Sequence, residues 1–429
     1  MKSERIRYFL LIIIAGFVGY FIGVNKIDFA WKNYQPHLEV SGKEPPSSRM
    51  QGDFGMFWTV LDKLESSYYD KTAINPQKII NGAISGMVSS LDDPYTVYLP
   101  PKQNDDFKQG MAGKFEGIGA ELGMKGKDVI VVAPLDGSPA QKAGVKAGDM
   151  IVKVDGEYIA GLSLAQVVDK IRGPKGTEVA LAILHKSDEK VSDVKIVRDT
   201  ITVKSITTWT KKVKDVEEIN AKAPELADSV NDKVVYIRLS QFGDSTNDEW
   251  LNLSNNIDRE LKSDKNIKGI VFDLRNNPGG YLTDAVYIAS EFIKSGTAVM
   301  QEDKNKIQTK YPVTGKGLLT EVPVIVLINK GSASASEIVS GALRDNKRAK
   351  LVGETSFGKG TIQQAEDLGG GAGLHVTIAK WLTPEGIWVH KKGLEPDVTV
   401  EVDKKDPSHD VQLEKAIEEL LKENLVGKN

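Results

Sequence analysis

From Val234 to Val352 the chain alternates short β-branched runs with stretches of helical period. Val234–Leu239, Ile270–Leu274, Val324–Ile328 and Lys350–Val352 read as strands. Thr246–Leu261, Leu282–Ile293 and Ala335–Leu343 read as the helices between them. A strand that reaches its neighbour through a helix returns parallel to it, and a parallel sheet needs cover on both faces. The fold class expected is therefore α/β, with a mostly parallel sheet covered by helices.

That pattern fills only part of a 429-residue chain, more than one core usually organises. A β-rich module precedes it. Val129–Val132, Met150–Val154 and Val179–Leu184 read as strands and Leu164–Ile171 as a short amphipathic helix, with turns at Asp136-Gly137, Asp155-Gly156 and Gly173-Pro174. Phe54–Leu91 reads as helical, with Phe57, Leu61 and Leu64 on one face and Ile79, Ile80, Ala83, Ile84 and Met87 in a second stripe. Both stripes suit helix packing. Asp92-Asp93-Pro94 stops the second helix. Thr210–Lys233 is charged and poorly periodic, and reads as a surface insertion. Val411–Lys422 closes the chain as an amphipathic helix. The boundaries expected are 1–26 for a signal anchor, 27–53 for a stalk, 54–109 for a helical region, 110–202 for the β-rich module, 203–403 for the α/β core and 404–429 for the last helix.

The N-terminus places the chain at a membrane. Lys2, Arg5 and Arg7 face one acid, Glu4, and Tyr8–Val24 carries no charge. At about 1.5 Å per residue that helix is roughly 25 Å long, near the lower limit for a span. The basic flank stays inside and the remaining chain lies outside the cytoplasm. No A-x-A-like cleavage site follows, so an uncleaved transmembrane anchor is the expectation. The absence of Cys removes disulfides, thiolate metal sites and cysteine nucleophiles. A net charge of −3 gives no nucleic-acid footprint. No cofactor or metal is called for.

Two motifs carry chemistry. Gly117-Ile118-Gly119-Ala120 precedes a strand, and its glycines allow successive N–H groups to converge on a carboxylate. An adjacent strand edge can take up an extended peptide. The order of elements over Gly117–Leu184 resembles a PDZ domain of the bacterial protease type. The second motif, Gly331-Ser332-Ala333-Ser334-Ala335-Ser336-Glu337, lies between the apolar strand Val324–Ile328 and a helix. Such a turn lifts a side chain out of the strand end beside free helix N–H groups, which suits a serine nucleophile and an oxyanion. Three serines compete on these grounds. The base is also open: His375 and His390 lie in the same domain, but Lys359, within Phe357-Gly358-Lys359-Gly360, is the better partner if burial lowers its pKa from about 10.4 toward 7–8.

These residues together resemble the carboxy-terminal processing peptidases, or tail-specific proteases, over about Phe54 to Val400. The family's serine run and F-G-K-G motif fall on Ser334 and Lys359, with Gln363 four residues on. Their spacing selects Ser334 over Ser332 and Ser336. Asp93-Pro94-Tyr95, the run Asp273 to Gly280, Thr383-Pro384 and Glu395-Pro396-Asp397 extend the likeness. It implies a Ser334/Lys359 dyad with Gln363 orienting the lysine. It implies an oxyanion hole from the N–H groups of Gly280 and Ala335. It also implies a PDZ domain that reads the free C-terminal tails of protein substrates through Gly117, Ile118, Gly119 and Ala120, and a homodimer. In relatives an arginine near Arg172 links the filled PDZ domain to the protease; in the sequence alone Arg172 equally suits a cation at a helix C-terminus. The chain departs from the family in the length of Thr210–Lys233, and no extra C-terminal domain is expected.

A P-loop reading of Gly353–Lys359 fails because Gly360 stands where the Mg²⁺-binding Ser or Thr belongs. A catalytically dead PDZ scaffold is the other alternative. The joint presence of Ser334, Lys359 and Gln363 speaks against it.

Overall fold

A computed structural model of the chain describes residues 27–32, 35–40 and 54–426, apart from 126, 136, 147, 163, 186–190, 220–225, 227–228, 404–405 and 407–408. The expected membrane helix within Tyr8–Val24 lies outside the described residues. Among those described, no helix is long and apolar enough to cross a membrane.

The chain divides into two compact units, Met1–Ile80 and Asn81–Asn429. In the first, Ile27–Lys32 pairs antiparallel with Gln35–Val40 where composition suggested an irregular stalk. The alternation Ile27, Phe29, Trp31 supplies the strand preference. The helix Gly55–Ser67 buries no residue, and Met56 and Trp58 stand 72% and 57% exposed. The stripe expected to pack against another helix is therefore unpartnered within this unit.

In the second unit, the β-rich module holds a sheet with strand order Val191–Val197, Glu178–Leu184, Met150–Val154, Asp128–Pro134, Ala120–Lys125, with Glu157–Tyr158 beside Met150–Val154. Val131, Ile151, Val167, Leu181 and Ile196 fill its core. A separate two-stranded ribbon, Lys114–Gly117 with Asp199–Thr202, joins the module's ends.

The α/β core is built on two sheets. The first runs Ile206–Lys212, Lys233–Leu239, Ile267–Asp273, Val324–Ile328, Lys350–Gly353, Val398–Thr399. Its first pairing is antiparallel and the other four are parallel. The second sheet is antiparallel throughout: Gln308–Pro312, Thr297–Asp303, Ala372–Leu382 and Thr361–Gly369, with Val97–Leu99 on the long strand. This corrects the expectation of one mostly parallel sheet. The second sheet's outer strands, Gln308–Pro312 and Thr361–Gly369, lie largely at the surface and carry mixed polar residues, so they lack the continuous apolar runs that betray a buried parallel strand. Val324–Ile328, buried at every position, has such a run.

One face of the first sheet packs on the helices Thr246–Ser263, Leu282–Phe292 and Ala335–Asp345, through Trp250, Phe272, Phe292 and Val339. The opposite face is covered by the helix Val411–Val426 through Leu413, Ile417 and Leu420. Val213, Val216 and Leu226 share that cover. Thr210–Lys233 is thus no surface insertion: Val213 and Leu226 are fully buried. Its apolar residues are too widely spaced among charges to show a period. Arg275 ties the last helix to the sheet, bonding Asp273 at 2.6 Å and Asp410 at 2.8 Å.

Candidate active site

The strand Val324–Ile328 delivers the chain to a turn that separates the three competing serines. The Ser332 hydroxyl donates to the Leu274 carbonyl at 2.8 Å and accepts the Asn329 N–H at 2.9 Å. The Ser336 hydroxyl is shared between the carbonyls of Asn277 at 2.9 Å and Ala333 at 2.8 Å. Both side chains are fully buried and act as internal braces. Ser334 is half-buried and caps the helix Ala335–Asp345 with φ +56° and ψ −116°. A non-glycine residue in that region is strained and needs its surroundings to hold it.

Part of that hold is Glu337, three residues along and fully buried. Its Oε2 accepts the N–H of Ser334 at 2.8 Å and that of Lys359 at 2.9 Å. Its Oε1 accepts the Ser356 hydroxyl at 2.5 Å and the Gly358 N–H at 2.7 Å. Four donors on one carboxylate offset the cost of burying its charge. They also lock the segment Ser356–Lys359 to the serine turn. Sequence reasoning passed over Glu337 as part of a motif. The S-x-x-E spacing at a helix start is a capping-box signal and could have found it.

The loop after Ile267–Asp273 faces Ser334. The Asn277 side chain donates to the Leu239 carbonyl and accepts the Gly279 N–H, and its carbonyl accepts the N–H of Ala333. Gly279 has φ +99°, and a Cβ there would lie 2.7 Å from Ser334 Cβ. Gly280 has φ +143°, and a Cβ there would overlap the Phe242 carbonyl. Only glycine fits either place. Of the expected oxyanion pair, Ala335 follows Ser334 as the first residue of the helix, and Gly280 adjoins Gly279, whose place lies against Ser334 and Ala335.

Lys359 is half-buried, and its desolvation lowers its pKa; the charges of Asp93 and Glu337 act in the opposite direction. Its Nζ sits 5.2 Å from the centre of the Tyr95 ring. The Trp381 indole holds its carbonyl at 2.8 Å. Gln363, expected to orient it, donates Nε2 to Thr361 at 2.9 Å and to Thr377 at 3.0 Å, and no hydrogen bond joins it to Lys359. The histidines are turned to other partners. His375 meets the Phe107 ring at 4.5 Å, and burial lowers its pKa. His390 stacks on Trp388 at 5.0 Å.

In the β-rich module, Gly119 takes φ +73° and reverses the chain between the ribbon and the sheet. The carbonyls of Ile118 and Gly119 accept the N–H groups of Ala140 and Leu135, which fixes the Gly117–Ala120 turn. The strand Ala120–Lys125 is the edge of its sheet, and the helix Leu164–Ile171 packs beside it. Arg172 does not cap that helix. Its guanidinium lies 5.3 Å from the Phe115 ring centre. Buried Arg198 performs the capping instead, donating to the carbonyls of Ile171 at 2.8 Å and Lys170 at 3.3 Å. The sequence placed a cation one residue past the helix; a guanidinium from the joint between the strands Val191–Val197 and Asp199–Thr202 takes the carbonyls instead.

Comparison with known proteins agrees with this architecture. Residues 233–400 match peptidase family S41, 130–184 a PDZ domain, and 13–102 the N-terminal domain of the activating protease CtpB. The chain is 36% identical to the carboxy-terminal processing protease CtpA of Bacillus subtilis (strain 168), covering 80% of this chain and 67% of that one. It is 40% identical to a CtpA-like serine protease of Staphylococcus aureus (strain MRSA252), covering 82% and 66%. It thus spans about two thirds of the length of these curated relatives. A crystal structure of an S41-type protein from Bacteroides fragilis NCTC 9343 shares the fold, with a TM-score of 0.54 at 15% identity over 85% of this chain and 97% of that one.

Proposed function

Because the chain belongs to the carboxy-terminal processing proteases of peptidase family S41, we infer that it is a serine endopeptidase using Ser334 and Lys359, anchored in the cell membrane with its protease domain outside the cytoplasm. The observation that carries this is the clamp at Glu337. One carboxylate oxygen accepts the backbone N–H groups of both the strained serine and the half-buried lysine.

Neutral Lys359 takes the proton of Ser334 as the hydroxyl attacks the scissile carbonyl. The N–H groups of Gly280 and Ala335, at the positive end of the helix Ala335–Asp345, receive the developing oxyanion. The lysine ammonium then protonates the leaving amine, and water releases the acyl group by the reverse sequence. Gln363 orients the lysine. Gly117–Ala120 binds the terminal carboxylate of a protein substrate, whose tail adds to the edge strand Ala120–Lys125. The bound tail shifts the enzyme toward an active arrangement, with Arg172 in the link. The helix Gly55–Ser67, which buries no residue, supports pairing with a second copy.

The test is cleavage of an unfolded protein by the full-length chain. Ser334→Ala and Lys359→Ala should each abolish it while the melting temperature is kept. Persistent cleavage in either variant refutes the dyad. The topology is checked by adding protease to intact wall-less cells: digestion of the domain is expected, and protection until lysis contradicts the orientation.

A further inference from the structure

A lysine base needs a fixed place for a long, flexible amine. It also needs surroundings that tolerate the ammonium it becomes on taking a proton. Asp93 and Glu337 are the carboxylates whose charges reach Lys359, and neither forms an ion pair with it among the described residues. A carboxylate in contact would hold the amine in its protonated form and spoil it as a base. The group against Nζ is instead the face of the Tyr95 ring, whose centre is 5.2 Å away.

Two chains of contacts keep the ring there. In the first, the Asp93 carboxylate accepts the Tyr95 N–H at 3.1 Å and the Thr96 hydroxyl at 2.7 Å, which closes the turn. The Thr96 hydroxyl accepts the Thr377 N–H at 3.0 Å, and Val97 pairs with His375 on the same strand, Ala372–Leu382. That strand also holds the lysine backbone. The Trp381 indole donates to the Lys359 carbonyl at 2.8 Å, and the Trp381 N–H donates to the Gly360 carbonyl at 3.1 Å. In the second, the Trp388 indole donates to the Gly360 carbonyl at 2.8 Å and stacks on His390. The His390 ring meets the Tyr95 ring at 6.1 Å, inclined to it by 70°. Ring and lysine are thus fastened to one frame.

We propose that the Tyr95 ring face is a cation platform, which positions the Lys359 amine and stabilises the ammonium formed when that amine takes the Ser334 proton. Tyr95 is a positioning residue. The face of an aromatic ring is negative but accepts no proton. Its attraction replaces part of the hydration that a half-buried ammonium lacks, and it is weaker than that of a carboxylate in contact, so the neutral amine stays accessible. The platform rests on the reading of Ser334 and Lys359 as nucleophile and base.

The experiment exchanges Tyr95 for phenylalanine, then for progressively fluorinated phenylalanines, in the full-length chain. It reads kcat/KM on one unfolded substrate against pH. Fluorine draws electron density from the ring face and barely alters the ring's shape. Tyr95→Phe should keep the wild-type profile. Along the fluorinated series the midpoint of the rise should move to lower pH by about half to one unit, and the plateau above it should fall about two- to tenfold, because a less stabilised ammonium belongs to a weaker base. The acid limb should not fall, since more of the amine is then neutral. A ring that only fills space would leave the midpoint in place. The other titratable groups around the amine and the ring are Asp93 of the turn, Glu337 of the helix Ala335–Asp345, His375 of the strand Ala372–Leu382, and His390. All stay the same throughout the series. Tyr95→Leu, checked for its melting temperature, should behave like the most fluorinated ring. A midpoint that does not move along the series, or a wild-type profile in Tyr95→Leu, overturns the proposal. Lys359→Ala is measured alongside. Activity there would sink the base itself, whereas an inactive Lys359→Ala with a midpoint indifferent to fluorine sinks only the platform.

Discussion

The N–H of Ser334 and the N–H of Lys359 converge on one atom, Oε2 of Glu337, at 2.8 and 2.9 Å. The backbones of the proposed nucleophile and base are therefore tied together by a third side chain that need not touch substrate.

Glu337→Gln replaces one of the two acceptor oxygens by an NH₂ group, which then faces backbone donors. A buried carboxylate that loses its partners in this way costs about 2–4 kcal/mol of stability. The expected outcome is a lowered melting temperature and a kcat reduced about a hundredfold or more, with KM little changed. Wild-type kcat at a lowered melting temperature would make Glu337 a brace alone.

Burial lowers the pKa of Lys359, while Asp93 and Glu337 hold it up; Tyr95 and His375 are the other titratable groups close by. Only the neutral amine is a base, so kcat/KM should rise with pH and level off below the ordinary lysine value of about 10.4. Removing the negative charge in Asp93→Asn should move that rise to lower pH. Lys359→Arg should be inactive, because a guanidinium stays protonated. A flat profile from about pH 6 to 9 contradicts a lysine base.

The PDZ groove predicts a dependence on the substrate's last atoms. A substrate with a free terminal carboxylate should be cut faster than the same substrate amidated, and Arg172→Ala should narrow the difference. Arg198→Ala should act differently, by unfolding. It leaves the carbonyls of Lys170 and Ile171 without their donor and should destabilise the domain by about 2–4 kcal/mol. Equal rates for free and amidated tails would remove the sensing role and leave the peptidase standing.

The parallel strands, the PDZ elements and the serine turn were legible because each leaves a local mark. Val324–Ile328 is continuously apolar, and Leu164–Ile171 is amphipathic over two turns. What stayed hidden is non-local. The cover supplied by Val213 and Leu226 depends on a sheet face and a C-terminal helix that meet only in the fold. Arg198 reaches a helix end 27 residues back in sequence. The Thr377 N–H meets the Thr96 hydroxyl across 281 residues. The choice among three serines needed spacing in the sequence; in the structure the Ser332 and Ser336 hydroxyls are committed to backbone carbonyls and Ser334 is left half-exposed, which supports the proposal of Ser334.

The most direct measurement of the dyad is to locate the covalent adduct of a serine-reactive fluorophosphonate on the full-length protein by peptide mass mapping. The account predicts one adduct, on Ser334, kept in Ser332→Ala and Ser336→Ala wherever those variants fold and absent in Lys359→Ala. An adduct on Ser332 or Ser336, or labelling of Ser334 that survives Lys359→Ala at the wild-type rate, would contradict it.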